Sequence, residues 1–411
     1  MHRSLVLYFF LLICLEVIKG KPLQQDRCCL KDSAKTPVAL SPRKPKNMAF
    51  IIGAQKSGTT FLFDELVKRH PHIKSREIKE PGRINDEKEA HYFNMLPLPN
   101  AERYIQAFEN AANTQNTTLT FIDGTPDYMH TPSAACRIAG AFPEAKLIVL
   151  LRDPVARALS HWNMFRVFGG KKGFEEEVGD ELAMMRKKGC SFELPPTLAG
   201  SISSSPSADA VELANEVQWK RDKRIPSYNA CFRCTFGRCG TLKRSEEGSV
   251  SCVLDEFPLL GYVRRGLYAY QLEWWMKFFS EDQFLILNQE QMEKDPEFVI
   301  KKAITFLGQD PNLLAPPEDL DASNLISGRG SSVVKGFHKK NASGWSLPMR
   351  DKNATQVYAR AIEDLYRYFA HPNQELYALL KTLKVAANGW TGEFPKEPKN
   401  KSGTEDNDED E

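Results

Sequence analysis

The sequence has no large excess of charge of either sign and almost no long hydrophobic runs. Its 411 residues include 55 Lys and Arg against 53 Asp and Glu, a formal net charge of +2. This balance excludes a globally basic nucleic-acid-binding protein, although a local basic groove is compatible with it. Hydrophobic residues make up 42% and charged residues 26%, as in soluble globular proteins. These values exclude a collagen, a coiled coil, a multi-span membrane protein and a wholly disordered chain.

The one long apolar run lies near the N-terminus, from Leu5 to Leu15, and follows the basic Arg3. A basic residue before about ten apolar residues is typical of a secretory signal, and the run is shorter than the roughly 20 residues that span a bilayer. Residues 1–20 are therefore predicted to be a cleaved signal peptide or a short signal-anchor. The alternative is a buried N-terminal strand or helix.

Sequons and cysteines support a luminal location. Asn-x-Ser/Thr sequons occur at Asn116, Asn341, Asn353 and Asn400. Of nine cysteines, Cys14 lies in the apolar run, which leaves an even number. These eight are Cys28, Cys29, Cys136, Cys190, Cys231, Cys234, Cys239 and Cys252. The last four have a spacing that is compatible with zinc, but in an oxidising compartment disulfides are favoured.

Composition predicts one catalytic domain with tails. Residues 21–47, rich in Pro, Lys and Ser, are predicted to be a stem, and residues 48–394 the folded domain. An insertion at about 188–255 contains a low-complexity loop and the cysteine cluster. Residues 395–411 end in an acidic run, which is typical of a disordered tail.

The first motif begins at the end of an apolar run, Met48 to Ile52, which predicts a buried parallel strand. It reads G-A-Q-K-S-G-T-T over residues 53–60 and leads into a helical pattern. A strand, a glycine turn and a helix together direct backbone N–H groups and a helix dipole at an anion. Lys56 adds a mobile positive charge, and Thr59 and Thr60 offer hydroxyls. The alternative is a structural glycine turn.

The same motif differs from a Walker A loop, G-x4-G-K-[ST]. Thr59 occupies the position of the Walker lysine, and Lys56 lies inside the loop. With threonine in place of the Walker lysine, a nucleoside triphosphatase would lose the lysine contact to the β- and γ-phosphates. The loop is therefore predicted to bind an anion other than Mg-ATP.

The second motif follows another buried strand, predicted over residues 145–151. It reads R-D-P-V-A-R-A-L-S-H-W over residues 152–162. Pro154 suits the first turn of a helix that Asp153 caps, and Arg152 lies at the carboxyl end of the strand, where open α/β sheets bind ligands. Arg152 and Ser160, about two turns along, can hold a second phosphate. The alternative roles are an ion-pairing arginine and a surface hydroxyl.

The two motifs together resemble those of sulfotransferases that use PAPS, 3′-phosphoadenosine-5′-phosphosulfate. The resemblance covers roughly residues 49–390 and implies a P-loop-like three-layer α/β/α fold with a central parallel sheet. It implies that Arg152 and Ser160 bind the 3′-phosphate. It also implies a site for the 5′-phosphosulfate formed by Lys56, Ser57, Gly58, Thr59 and Thr60.

Further stretches resemble Golgi carbohydrate sulfotransferases. Residues 261–275 read G-Y-V-R-R-G-L-Y-A-Y-Q-L-E-W-W and are similar to a family helix with the pattern R-G-x-Y-x-x-x-L-x-x-W. Residues 353–380 are similar to the family's C-terminal helix. A basic loop over residues 328–340 is predicted to close over PAPS or the acceptor, with Lys339 and Lys340 as donor-binding residues.

The candidate general base lies in K-E-A-H-Y-F, residues 88–93. This segment resembles K-E-x-H-F-F of heparan sulfate 3-O-sulfotransferases, a resemblance that implies Glu89 is the catalytic base. It also implies that His91 orients the base or the acceptor, and that Lys88 contacts the donor or a sulfated sugar. The alternatives are a surface carboxylate for Glu89 and a packed histidine for His91.

One departure from those relatives lies at Asp123-Gly124, within F-I-D-G-T-P-D-Y. Heparan sulfotransferases often have E-K-[ST]-P at this point, and in this chain Gly124 replaces the lysine. The resemblance therefore implies an intact donor site and an acceptor that differs from the heparan type.

The sequence predicts a Golgi-luminal enzyme that transfers a sulfuryl group from PAPS to a glycan hydroxyl, less favourably to an amine. It would be a single-pass type II membrane protein, or secreted if the N-terminus is cleaved. No metal and no nucleic acid is expected to take part. Two alternatives are a P-loop nucleotide kinase or GTPase, and a non-catalytic module that binds the product PAP or a glycan.

Overall fold

The computed structural model describes residues 43–77, 87–94, 101–111, 116–167, 171–187, 241–244, 250–253, 261–317, 333–334, 337–338, 358–383, 390 and 393–394. The proposed signal segment, most of the stem, the low-complexity loop and the acidic tail lie outside these residues, as do Lys339 and Lys340.

A five-stranded sheet forms the centre of the molecule. Its strands are β1 (Met48–Gly53), β2 (Ile73–Lys74), β3 (Thr120–Asp123), β4 (Lys146–Leu151) and β7 (Phe284–Asn288). The order across the sheet is β2-β3-β1-β4-β7, and every pair is parallel. Two short antiparallel hairpins lie outside this sheet: β5 (Thr241–Arg244) with β6 (Val250–Val253), and β8 (Val333–Val334) with β9 (Phe337–His338).

Nine helices of at least six residues occur in the described part of the chain. They are α1 (Thr59–Arg69), α2 (Ala101–Ala111), α3 (Pro132–Ala141), α4 (Pro154–Val167), α5 (Phe174–Lys187), α6 (Tyr268–Trp275), α7 (Gln289–Lys294), α8 (Pro296–Phe306) and α9 (Ala359–Thr382). Short 3-10 turns lie at Pro126–Tyr128, Arg264–Gly266, Glu281–Gln283 and Pro311–Leu313.

Side chains alternate between the two faces of the sheet, and helices cover both. Phe50 and Ile52 of β1 pack with residues of α3 and α6 in one buried cluster. Ala49 and Ile51 pack on the opposite face with residues of α1 and α8. A strand covered on both faces needs apolar residues throughout, which is why β1 and β4 have almost no polar side chains. The arrangement confirms the predicted three-layer α/β/α fold.

Local sequence signals set the helix ends near the site. The Asp153 carboxylate accepts hydrogen bonds from the backbone N–H groups of Val155 (3.3 Å) and Ala156 (3.2 Å) at the start of α4. Pro154 occupies the first helical position, where its missing N–H costs nothing. Both features were predicted from the sequence.

The strand order places the first and second motifs side by side. β1 lies between β3 and β4. The strands that follow β1 in the chain, β2 and β3, are added on one side of it, and the later strands β4 and β7 are added on the other side. Open parallel sheets bind ligands at such a switch point, beyond the carboxyl ends of the strands. The segments after β1, β3 and β4 meet there.

Candidate active site

The loop between β1 and α1 is shaped by two residues in the left-handed region. Lys56 has φ 73° and Gly58 has φ 91°. A Cβ at position 58 would lie 2.5 Å from Cε of Met292, so both backbone conformation and space require glycine there. Gly58 is also the N-cap of α1. The loop therefore presents its backbone at a helix N-terminus, the usual geometry of an anion site.

Lys56 lies in a desolvated and electropositive position. Its ammonium is 3.8 Å from Sδ of Met164 on α4. Desolvation, together with the positive charges of Arg152 and Lys88, lowers the pKa of Lys56 to about 8. An anion at this position would relieve the repulsion among these cations, so the electrostatics favour a ligand with more than one negative charge.

Arg152 joins the second motif to the first. Its Nη1 donates a 3.0 Å hydrogen bond to the carbonyl oxygen of Lys56, and its own carbonyl accepts one of 2.9 Å from the Tyr268 hydroxyl. Burial lowers the pKa of the Arg152 guanidinium. Ser160 is buried on α4. Arg152, at the end of β4, is thus fixed beside the loop.

Glu89 lies between two cationic partners. Its Oε1 accepts a 2.7 Å hydrogen bond from Nζ of Lys88, and its Oε2 lies 3.2 Å from Nε2 of His91. Burial raises the pKa of Glu89, but the hydrogen bond from His91 and the charge of Lys88 outweigh burial and lower the pKa to about 2. The carboxylate is therefore ionised at neutral pH, as a proton acceptor must be.

His91 is held in a fixed orientation. Burial lowers its pKa, but the hydrogen bond with Glu89 and the charges of Asp127, Glu89 and Asp123 outweigh this and raise the pKa above its ordinary value. The Asn94 amide nitrogen lies 3.3 Å from the second ring nitrogen, Nδ1. His91 has φ 52°, an uncommon conformation for a residue other than glycine. The contact with Glu89 agrees with the orienting role that the resemblance implies.

Residues 87–94 contain no helix or strand and are held by the end of β3. Gly124 N donates to the carbonyl of Lys88 (2.9 Å), and His91 N donates to Oγ1 of Thr125 (3.2 Å). Asp123, fully buried, accepts from the hydroxyls of Thr125 at 2.6 Å and Tyr128 at 3.0 Å. The position of the candidate base thus depends on side chains of a neighbouring loop.

Most predicted site residues meet in one place. Lys88 links the two halves, because its Nζ also lies 3.4 Å from Oγ1 of Thr59 at the start of α1. Ser57 and Thr59 are buried, and Thr60 is half-buried in the first turn of α1. The roles assigned to these residues, and to Lys339 and Lys340 outside the described part, stay predictions.

Sequence reasoning missed a group of buried basic residues behind the loop. Arg265, 8% exposed, donates from Nη1 to Oε1 of Gln55 (2.5 Å) and to Oδ1 of Asp127 (2.9 Å). Arg157 and His161 are fully buried on α4. Burial lowers the pKa of His161, as do the charges of Arg265 and Arg157. The signal that was available is the pair of adjacent arginines in an otherwise apolar segment.

One cysteine prediction concerns a described residue. Cys136, on α3, is disulfide-bonded. This agrees with the expectation of disulfides in an oxidising compartment. The cysteine cluster at 231–252 lies almost entirely outside the described residues.

In comparisons with known proteins, the family model and the three relatives named below are all sulfotransferases. The family described as "Sulfotransferase domain" matches residues 46–326. The membrane-associated sulfotransferase kil1 of Dictyostelium discoideum is 27% identical over 315 residues, covering 71% of this chain and 61% of that protein. Heparan sulfate glucosamine 3-O-sulfotransferase 6 of Mus musculus is 25% identical over 277 residues, covering 66% and 55%. Carbohydrate sulfotransferase 15 of Mus musculus is 27% identical over 300 residues, covering 64% and 44%.

These alignments cover only part of the relatives, between 44% and 61% of their lengths in the three proteins named. The matched region of this chain contains the anion loop, the Glu89 segment and Arg152. The strand order, the loop geometry and the family match lead to the same assignment. The chain belongs to the sulfotransferase domain family.

Proposed function

We propose that this chain transfers a sulfuryl group from PAPS to a hydroxyl of a glycan. The observation that carries the proposal is the meeting of an ionised carboxylate and an electropositive anion loop. Glu89 and Thr59 share Lys88 as a hydrogen-bond partner, at 2.7 and 3.4 Å respectively. A base beside an anion site is what sulfuryl transfer to a hydroxyl requires.

The donor would bind across the ends of β1 and β4. The backbone of residues 56–60 and the Lys56 ammonium would hold the 5′-phosphosulfate, and Arg152 with Ser160 the 3′-phosphate. The fixed contact between Arg152 and the Lys56 carbonyl, 3.0 Å long, supports this division because it sets the spacing of the two subsites. The lowered pKa of Lys56 also supports this division. A donor with several negative charges would stabilise the protonated form of Lys56 and raise its pKa again.

The chemistry is a displacement at sulfur. The acceptor oxygen forms a bond to sulfur as the bond between sulfur and the bridging phosphate oxygen breaks, and the leaving electron pair stays on that oxygen. Glu89 takes the acceptor's proton, and Lys56 stabilises the charge that develops on the leaving phosphate. Preorganised charges of this kind act without reorganisation during the reaction. His91 keeps the Glu89 carboxylate in its orientation.

A glycan is the proposed acceptor class because the named relatives act on heparan sulfate glucosamine or on carbohydrate. A hydroxyl is favoured over an amine because the Glu89 segment resembles that of 3-O-sulfotransferases. The absence of a side chain at Gly124 supports an acceptor that differs from the heparan type.

We place the enzyme in the Golgi lumen, anchored by its N-terminus or secreted after cleavage. The disulfide at Cys136 supports an oxidising compartment, and Asn116 of the first sequon is exposed. Among the helices that the structure describes, none combines the length and apolar character needed to cross a bilayer.

The test is a screen of polysaccharide acceptors with labelled PAPS and the full chain, followed by linkage analysis of the product. Wild type is expected to label at least one glycan, and Glu89→Gln and Lys56→Ala are expected to lose that activity while they stay folded. Glu363→Gln is a matched control, because Glu363 is half exposed on α9 and pairs only with nearby Arg367 in the described contacts. Full activity in both site variants would refute these roles.

A further inference from the structure

The buried guanidinium of Arg265 joins two loops of the site. Its Nη1 donates to Oε1 of Gln55 (2.5 Å) and to Oδ1 of Asp127 (2.9 Å). Gln55 lies in the anion loop, residues 53–60, and Asp127 lies in the 3-10 turn Pro126–Tyr128 after β3. Arg265 is 8% exposed, so salt and water screen these contacts little. One buried cation therefore connects the loop after β1 with the turn after β3.

The turn that contains Asp127 also holds the segment of the candidate base. Oγ1 of Thr125 accepts a 3.2 Å hydrogen bond from His91 N, and the Tyr128 hydroxyl accepts one of 3.1 Å from Tyr92 N. Asp127 lies between Thr125 and Tyr128 in the chain. A shift of the turn would therefore move the backbone next to the candidate base.

Asp127 acts on His91 through its charge as well. Burial raises the pKa of Asp127, but the charges of Arg265 and of neighbouring histidines outweigh burial and lower the pKa. The ionised carboxylate favours the protonated form of His91, whose Nε2 lies 3.2 Å from Oε2 of Glu89. The charged groups around His91 are Lys88 and Glu89 of the same segment, Asp123 of β3 and Asp127 of the turn.

Another buried arginine shows what a structural ion pair looks like in this chain. Arg69 is 6% exposed and donates to Glu65 and to Glu297, each at 3.0 Å. It ends α1, at the far end of that helix from the anion loop, and ties α1 to α8. The partners of Arg265, in contrast, lie in the two loops that form the site. A buried ion pair adds little net stability, so stability alone does not account for the pair at this junction.

We propose that Arg265 and Asp127 are positioning residues for the transfer, a buried ion pair that holds the base segment in place against the anion loop. The inference rests on the proposed function. Asp127 keeps His91 charged beside Glu89, and Arg265 fixes Asp127 while it holds the loop through Gln55. Neither member of the pair contacts the reacting atoms or gives up a proton, since the acceptor proton goes to Glu89.

The test measures kcat and PAP affinity in variants of the full chain. Asp127→Asn keeps the size of the side chain and removes its charge. We expect kcat to fall by about 10²-fold, the loss that a misplacement of about 1 Å can produce, while PAP affinity stays within a few-fold. Arg265→Met should lower kcat and also weaken PAP binding, because the anion loop loses its contact at Gln55. Arg265→Lys keeps the cation and should recover part of both losses.

The matched control is Arg69→Met, which removes a guanidinium of similar burial away from the site. It should lose stability in thermal unfolding and keep the wild-type kcat and PAP affinity. The double variant of Asp127→Asn and Arg265→Met should lose less kcat than the two single losses combined, because it leaves no unpaired charge in the buried site.

The titration of His91 is a readout that a merely structural pair would not move. Asp127→Asn removes a charge that favours protonated His91, so His91 should lose its proton at lower pH. The alkaline limb of kcat should move to lower pH with it. NMR of the imidazole C–H signals measures the titration without any acceptor, and the signal missing from His91→Asn identifies the residue. If Asp127→Asn does not fold, the double variant lacks the same charge and provides the titration.

The outcomes separate the two proposals. A His91 titration that does not move in folded Asp127→Asn would overturn the positioning role, whatever happens to kcat, and leave the proposed function standing. Wild-type kcat and PAP affinity in folded Arg265→Met would overturn it as well. A wild type that transfers no sulfate to any glycan would overturn both proposals. Loss of kcat with a lowered His91 titration in Asp127→Asn, and partial recovery in Arg265→Lys, would support the positioning role.

Discussion

The anion loop and the Glu89 segment form one site but are built by different means. The loop lies between a buried strand and a helix, and its shape comes from its own backbone, with Lys56 and Gly58 in the left-handed region. The Glu89 segment has no regular structure and is held by Asp123, Thr125 and Tyr128. The comparison teaches that donor binding depends on the local backbone geometry of the loop, whereas the position of the Glu89 carboxylate depends on tertiary contacts. The two functions should therefore be separable by mutation.

The largest expected effect comes from Glu89→Gln. The amide keeps the size of the side chain but cannot accept the acceptor's proton, and general base catalysis contributes about 10²–10⁴-fold. We expect kcat to fall by that factor while the Kd for PAP, measured by calorimetry, stays within a few-fold. Equal losses of turnover and PAP affinity would show that the two halves are not separable. Glu363→Gln serves as the control.

Lys56→Ala should affect both quantities. Its ammonium would contact the donor in the ground state and the leaving oxygen in the transition state, so we expect a kcat loss of about 10²–10³-fold and weaker PAP binding. Steady-state kinetics and calorimetry on the same preparation measure the two effects. Unchanged PAP affinity in a folded variant would contradict the placement of Lys56 in the donor site.

The pH dependence of PAP binding should reflect Lys56. Desolvation lowers its pKa to about 8 in the free protein, and an anionic ligand favours the charged form and raises that pKa. Binding must therefore take up a proton above pH 8, and PAP affinity should fall about tenfold per pH unit there. Titrations in buffers of different ionisation enthalpy measure the uptake. A flat profile between pH 7.5 and about 9.5 would argue against this assignment.

A smaller change tests the conformation of the anion loop through stability, with a glycine of α5 as the control. Gly58→Ala places a Cβ at φ 91° and 2.5 Å from Met292 Cε, and should cost about 1–2 kcal/mol and weaken PAP binding. Gly179→Ala, in α5 with open space around it, should instead stabilise by about 0.5–1 kcal/mol. Thermal unfolding and calorimetry provide the measurements, and equal effects of the two changes would contradict the strained-loop interpretation.

Thr125→Val is the counterpart in the base segment. It removes the oxygen that accepts from His91 N and donates to Asp123, at a cost of about 1–3 kcal/mol for the unsatisfied buried groups. We expect kcat to fall while PAP affinity is retained, because the loop does not depend on Thr125. A loss of PAP binding without a loss of kcat would contradict the claim that Thr125 supports the base segment and not the anion loop.

The sequence predicted the donor half better than the acceptor half for a physical reason. β1, the loop and α1 follow each other directly in the chain. The apolar run, the spacing of the glycines and the helical pattern are therefore enough to predict them from local sequence. Arg152 could be placed beside Lys56 because the carboxyl ends of parallel strands share one edge. Glu89 was named only through a resemblance to a family, since nothing local distinguishes it from its acidic neighbours.

Contacts between distant segments could not be predicted. Arg265 reaches Gln55 and Asp127 across 210 and 138 positions of the chain, and no spacing rule relates them. The fit of Lys88 against Gly124 depends on how two loops pack, and the sequence showed only that a lysine is missing at 124. Buried basic residues such as His161 look in the sequence like ordinary helix positions.

The most direct test of the central claim is a calorimetric titration of PAP into the folded full chain, with Arg152→Ala beside it. We predict one binding site per chain in the wild type and clearly weaker binding in the variant, because Arg152 would contact the 3′-phosphate beside the Lys56 loop. No detectable heat with wild-type protein, or equal affinity in both, would contradict the account.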